Sequence, residues 1–137
     1  MIQLHATTVA LDGRGLVILG PSGAGKSTLA LELMAVGAAL VADDRTDLRL
    51  EGSALTASVP KELEGRIEAR SVGILNADFV PTVTVSLVCD LGQVEDQRLP
   101  PMRHTTLMDM RLPLVLGPHR PHLYAALRQM LLGARHA

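Results

Sequence analysis

Apolar and polar positions divide the chain into short runs with clear breaks. Met1 to Ala10 alternates loosely and predicts a strand. Asp12-Gly13-Arg14-Gly15 is a turn signal, and Gly15 to Leu19 is a short apolar run that reads as a buried strand. The opening therefore predicts a β-hairpin. Lys26 to Ala35 is made of strong helix formers and predicts a helix, with Gly37 near its C-cap. Ala38 to Ala42 predicts a buried strand ending at Asp43-Asp44. Asp47 to Leu50 and Ala54 to Ala57 alternate around Glu51-Gly52-Ser53, a second hairpin. Glu62 to Glu68, after Pro60, reads as short helical or irregular chain. Val80 to Leu91 is the clearest strand, rich in Val and Thr. Residues 92–106 are polar and proline-bearing and read as a loop, followed by a strand over Leu112 to Leu116. Pro121 to Leu132 predicts a closing helix with proline in its first turn and Leu123, Leu127 and Met130 on one face.

Between the second strand and the first helix stands Gly20-Pro21-Ser22-Gly23-Ala24-Gly25-Lys26-Ser27, which satisfies G-x-x-x-x-G-K-[ST]. Strand, glycine loop and helix aim backbone N–H groups and a helix N-terminus at an anion. The pattern points to a nucleotide triphosphate. Lys26 reaches the β- and γ-phosphates, Ser27 ligates Mg²⁺ through its hydroxyl, and Gly23 and Gly25 let the backbone approach phosphate. Thr28 closes the binding segment as a residue of the helix's first turn.

The apolar strand ending at Asp43-Asp44 is the expected complement, because its end lies at the same sheet edge as the phosphates. Successive strand side chains face opposite ways. If the strand persists to its end, only one of the two carboxylates faces the γ-phosphate. If the first two strands form a hairpin, His5 lies beyond its turn, within reach of the loop. Glu68 and Arg70 flank Ala69 at strand-like spacing, so both can face one side; as a plain surface ion pair they would contribute little. His104, His119, His122 and His136 sit in loops or near ends, and two histidines such as His119 and His122 make no metal site.

Composition narrows the classes. The chain has 137 residues, 47% hydrophobic, which suits one domain over residues 1–137 with an aliphatic core. Phe79 and Tyr124 are its only aromatics, which argues against single-strand nucleic-acid binding. With 13 basic and 14 acidic residues, no charge excess points to nucleic acid or to an acidic membrane. The lone Cys89 excludes a disulfide framework and reads as a small core residue. Without a signal peptide or a long apolar run, the expectation is a soluble, cytoplasmic protein.

These pieces together resemble the catalytic domain of the bacterial HPr kinase/phosphorylases, which phosphorylate a serine of HPr, the small phosphocarrier of the sugar phosphotransferase system. Three segments carry the resemblance: Gly20 to Ser27 with Ala30-Leu31-Glu32-Leu33; Leu40-Val41-Ala42-Asp43-Asp44; and Ile67-Glu68-Ala69-Arg70-Ser71-Val72-Gly73-Ile74, similar to the family signature. His5 stands at the family's distance before the loop. The resemblance implies an α/β P-loop domain with a mixed, strand-rich sheet, like that of the HPr kinase and phosphoenolpyruvate carboxykinase group. It implies an ATP- and Mg²⁺-dependent protein serine kinase acting on HPr or an HPr-like carrier, in control of carbohydrate metabolism, and a homo-oligomer, hexameric in the family. Asp44 would accept the serine proton with His5 and Asp43 assisting, Lys26 would hold the transferring group, and Ser27 and Glu68 would ligate Mg²⁺. Arg98, in Asp96-Gln97-Arg98-Leu99, matches a family arginine. At 137 residues, the expectation is a compact, catalytic-domain-only form of the family, without the N-terminal domain of full-length members. The chain carries Ala69 and Ser71 where isoleucine and glycine are usual, and Thr28 for a common glutamate. Gly117-Pro118-His119-Arg120-Pro121 keeps little of the segment associated with the reverse, phosphorylase reaction.

Two other readings stay open. One is a small-molecule kinase, although Arg98, Arg103 and Arg111 are too scattered for a nucleoside-kinase lid. The other is a nucleotide-sensing module without turnover. A Ras-like GTPase is disfavoured: there is no N-K-x-D, and the early D-x-x-G, Asp12 to Gly15, precedes the loop.

Overall fold

The computed structural model describes residues 1–137. In chain order the elements are β1 (Ile2–Leu4), β2 (Thr7–Leu11), β3 (Arg14–Leu19), α1 (Lys26–Ala35), β4 (Ala39–Ala42), β5 (Thr46–Glu51), β6 (Ala54–Ser58), a 3-10 turn (Lys61–Leu63), β7 (Arg66–Ala69), β8 (Gly73–Asn76), β9 (Thr82–Val94), β10 (Arg103–Leu107), β11 (Met110–Gly117) and α2 (Leu123–Gly133). Nine strands make one mixed sheet in the order β1-β5-β6-β9-β3-β2-β4, with β11 also on β9 and β10 on β11. β9 is the spine. Its first residues pair with β6 and its last with β11, while β3 lies alongside it from Thr84 to Asp90. One edge of β9 thus changes partner along its length, and the sheet curls. β3, β9 and β11 are parallel to one another, so their carboxyl ends share one edge.

Alternation along the strands sorts side chains into two cores. Leu16 and Ile18 of β3 and Leu87, Cys89 and Leu91 of β9 face the helices, meeting Leu29 and Leu33 of α1 and Leu123, Leu127 and Leu131 of α2. Val17, Val85 and Val88 face the other way, onto Val41, Leu48, Leu55 and Leu112. The step between Val85 and Leu87 breaks strict alternation because the β3–β9 register shifts there by one residue. Gly15 permits the close approach at the shift: a Cβ on it would lie 2.6 Å from Val83 Cγ1 and 2.9 Å from the Thr84 carbonyl. Cys89 is a core residue, as its apolar flanks predict, and burial pushes its thiol up to about 12, with Arg120 opposing and Asp90 adding to the rise. The apolar stripe of α2 is spent on this core, with Met130 at its partly buried flank. No helix is long and apolar enough to cross a membrane.

The mixed, strand-rich α/β sheet agrees with the expectation, as do the hairpin of β2 and β3, the bounds of α1 and the β5–β6 hairpin. α1 ends in a Schellman motif, Gly37 N–H to Met34 O and Ala38 N–H to Leu33 O, with Gly37 at φ +112°. Four details differ. The first strand breaks at His5-Ala6, because β1 pairs with β5 whereas β2 pairs with β3 and β4. Glu62 to Glu68 is helical only at its start, in the 3-10 turn; beyond it, Ile67 and Ala69 point inward and Arg66 and Glu68 outward, a two-residue period paired with β8. Residues 92–106 hold the end of β9 and most of β10, an edge strand bonded only to β11, whose half-exposed composition reads as loop. The last helix starts at Leu123 rather than Pro121, since His122 takes φ +69° and cannot extend it.

Candidate active site

The Gly20–Ser27 loop joins the carboxyl end of β3 to the start of α1. Gly20, Gly23 and Gly25 have φ of +149°, +86° and +102°, conformations that L side chains rarely adopt. The N–H groups of Lys26, Ser27 and Thr28 make no backbone hydrogen bond, the orphan donors of a helix N-terminus, and the helix dipole favours an anion in front of them. The Lys26 side chain is buried in the loop, its Nζ donating to the Gly20 and Pro21 carbonyls at 2.7 and 3.2 Å. Ala24 packs on the helical core.

A polar cleft of about 130 Å³ opens beside the loop, with no hydrophobic residue in its lining. Ser22, Gly23, Gly25, Lys26, Ser27 and Thr28 form one wall, and Thr7, Asp44, Glu68 and Arg70 the other. Glu68 belongs to β7 and Arg70 to the turn after it; both line the cleft, as expected, but Arg70 gets there from the turn and not by strand alternation. Arg70 reaches over the loop: a Cβ on Gly23 would lie 4.0 Å from its Nη2. A cavity of about 510 Å³ between β10–β11 and the end of α2 is larger, but none of the predicted site residues lines it.

The two aspartates divide their work in a way alternation does not describe. β4 ends at Ala42, and Asp44 turns into the left-handed region at φ +68°. Asp43 stays behind the loop as an acceptor. Its Oδ1 receives the Ser27 hydroxyl at 2.7 Å and the Thr7 hydroxyl at 2.9 Å, and its Oδ2 receives the Glu68 backbone N–H at 2.9 Å. One carboxylate thereby ties β2, α1, β4 and β7 together. Asp44 faces the cleft, its N–H donating to Thr7 Oγ1 and its Oδ1 bonded to His5 Nε2. His5 sits in the gap between β1 and β2, so the break in the first strand is what aims it at Asp44. Beneath, buried Thr8 and Thr46 share a hydroxyl hydrogen bond at 2.9 Å and Thr46 donates to the Ala6 carbonyl, fixing β2 against the start of β5.

Arg98 is not brought to this cleft. It lies exposed between β9 and β10, in a segment whose Pro100 and Pro101 carbonyls accept from Arg135. Arg70 is the guanidinium of the cleft. His119 is the residue sequence reasoning undervalued. It packs on Gly25, where a Cβ would lie 3.1 Å from its Cβ, and its Nε2 bonds Glu32 Oε1 at 2.7 Å. No local pattern joins residues 87 positions apart.

Comparison with known proteins shows the family and the fold. The family model of the HPr serine kinase C-terminal domain matches residues 1–98. An HPr kinase/phosphorylase of Aromatoleum aromaticum is 34% identical over 131 residues, covering 95% of this chain and 39% of that protein. One from Geobacillus thermodenitrificans is 34% identical over 137 residues, covering 86% of this chain and 42% of the other. The chain thus spans about two fifths of the length of these curated relatives. Among solved structures, the Hpr(Ser) kinase/phosphatase from Coxiella burnetii superposes with a TM-score of 0.83 at 27% identity, over 96% of this chain and 95% of that one.

Proposed function

The chain belongs to the HPr serine kinase C-terminal domain family, and from that premise we propose that it transfers the γ-phosphoryl group of ATP, with Mg²⁺, to a serine of the phosphocarrier HPr or an HPr-like protein. The observation that carries the proposal is Asp44, bonded to His5 and facing the Gly20–Ser27 loop across a cleft without apolar lining. Phosphoryl transfer needs positioning and charge neutralisation more than covalent chemistry. Lys26 and the orphan N–H groups of α1 hold the phosphates, and Arg70 adds a second cation over the loop. Asp44 takes the proton of the acceptor serine as its oxygen bonds phosphorus, while the bond from phosphorus to the departing diphosphate breaks. His5 holds the Asp44 carboxylate in its aim. Asp43 assists by fixing Ser27 and the Glu68 backbone.

The residues present fit a magnesium ion. The Ser27 hydroxyl and the Glu68 and Asp44 carboxylates are hard oxygen donors. Magnesium binds one or two protein oxygens and takes the rest from phosphate and water. Ser27 and Glu68 would hold it, and when bound it supplies positive charge to the transferring phosphoryl group. The proposal is for the kinase direction, within one domain over residues 1–137.

The test is transfer from ATP·Mg²⁺ to HPr of the same organism, read by intact mass, with Asp44→Asn alongside. The wild type adds one phosphate, and Asp44→Asn binds ATP but transfers at least about a hundredfold more slowly. Transfer by Asp44→Asn at the wild-type rate refutes the assigned base. ATP binding by the wild type without transfer refutes the acceptor and favours a nucleotide-sensing module.

A further inference from the structure

The Gly20–Ser27 loop is walled on both sides, and the chemistry proposed above uses only one. Thr7, Asp44, Glu68 and Arg70 stand on the side of β2, β4 and β7, around a cleft of about 130 Å³ with no apolar lining. That space suits phosphate. A base and ribose take larger, mostly apolar sites. With the reacting phosphoryl group at Asp44, the rest of the nucleotide must leave the loop on the opposite side. There the carboxyl ends of β9 and β11 run parallel to β3, the sheet edge at which open α/β sheets bind ligands. Gly92, in β9, closes on the loop: a Cβ there would lie 3.1 Å from Pro21 Cδ. Just past β11 comes His119. Its Cβ and Cγ lie 3.1 and 3.2 Å from where a Cβ on Gly25 would be, and Glu32 holds its Nε2. The ring is thus pinned at both ends, yet its side chain stays 28% exposed. Phe79 bridges to β4 and Tyr124 packs on the helical core, so neither offers a ring beside the loop. His119 lies beyond the residues that the family model matches.

Resting on the function proposed above, we propose that the nucleoside half of the nucleotide lies over the β9–β11 edge, with the His119 imidazole as the ring on which its base stacks and Glu32 as the group that holds that ring in place. His119 is then a binding residue for the nucleoside of the donor, with no part in the chemical step.

Calorimetry with two probes, ATP·Mg²⁺ and tripolyphosphate·Mg²⁺, separates stacking from loop structure. His119→Ala should weaken ATP about tenfold and leave tripolyphosphate unchanged, and His119→Phe should restore ATP binding. Equal ATP affinity in wild type and His119→Ala overturns the proposal. So does an equal loss for both probes, which would make His119 a prop for the loop. A wild type that binds neither probe overturns the functional reading itself, so the two failures are distinguishable. Photolabelling with 8-azido-ATP locates the base independently of folding in any variant. Label on the peptide holding Pro118 to Arg120 supports the placement, and label on the segment after β4 overturns it.

Discussion

Asp43 and Asp44 are neighbours whose removal should have opposite signatures. Asp43 accepts three hydrogen bonds, from the Ser27 and Thr7 hydroxyls and the Glu68 N–H, and is partly buried. An asparagine in its place must turn an –NH₂ toward one of these partners. Facing the Glu68 N–H it sets donor against donor. Facing the hydroxyls it competes with the Asp44 N–H for Thr7 Oγ1. Either way one charge-assisted bond is lost and the others weaken, a cost of about 2 kcal/mol. Alanine loses all three, about 3 to 5 kcal/mol after allowance for partial exposure. For a chain of this size these correspond to drops in Tm of roughly 6–8 °C and roughly 10–17 °C. Asp44 is exposed, has one side-chain partner and sits in the left-handed region that asparagine tolerates. Asp44→Asn should therefore change stability by less than about 0.5 kcal/mol. Urea unfolding of the three variants, with transfer rates beside it, measures both axes. An Asp43→Asn midpoint equal to wild type, or an Asp44→Asn midpoint shifted as far as that of Asp43→Asn, refutes the division of roles.

Two further predictions concern the frame. Gly117→Ala places a Cβ 2.8 Å from Leu91 Cα and 2.9 Å from its carbonyl oxygen, both backbone atoms, so β11 must move off β9; the variant should lose about 2 kcal/mol or more in urea unfolding, and an unchanged midpoint contradicts the tight packing. The Cys89 thiol is held protonated in the fold up to about 12, above its ordinary value of 9.0, so its contribution to stability is complete below about pH 9 and is lost as pH rises toward 12. The wild type should lose up to about 1.4 kcal/mol per pH unit more than Cys89→Val across that window, and native Cys89 should resist alkylation near neutral pH; parallel pH profiles, or alkylation of the native protein, contradict this burial.

Legibility followed locality. The loop, α1 with its glycine cap, and the two hairpins with short turns were readable because their determinants lie within a few residues of one another. The 92–106 segment was not, since β10 gains its structure from β11 alone and leaves half its side chains in water. The same holds for the site. Lys26 and Ser27 come from a contiguous motif; spacing suggested one side for Glu68 and Arg70, and both line the cleft, although Arg70 does so from the turn after β7. Arg98 was attached to the site through a short match in sequence, and the cation that reaches the cleft is Arg70.

The aspartate pair shows where a correct rule stops applying. Period-two alternation lets one carboxylate face the phosphates only while the strand continues, and β4 stops at Ala42. Asp44 then turns left-handed, with Thr7 Oγ1 accepting its N–H, and its direction is set by the turn and by His5 rather than by the pleat. Asp43 is free to look inward because three donors from three other elements converge on it. Those donors lie 36 residues before it, 16 before it and 25 after it, and no window on the sequence contains them together. Which aspartate is frame and which faces the cleft is therefore a tertiary fact. The His119–Glu32 contact has the same character, and for both the decisive observation is a polar atom whose partner comes from another layer of the fold.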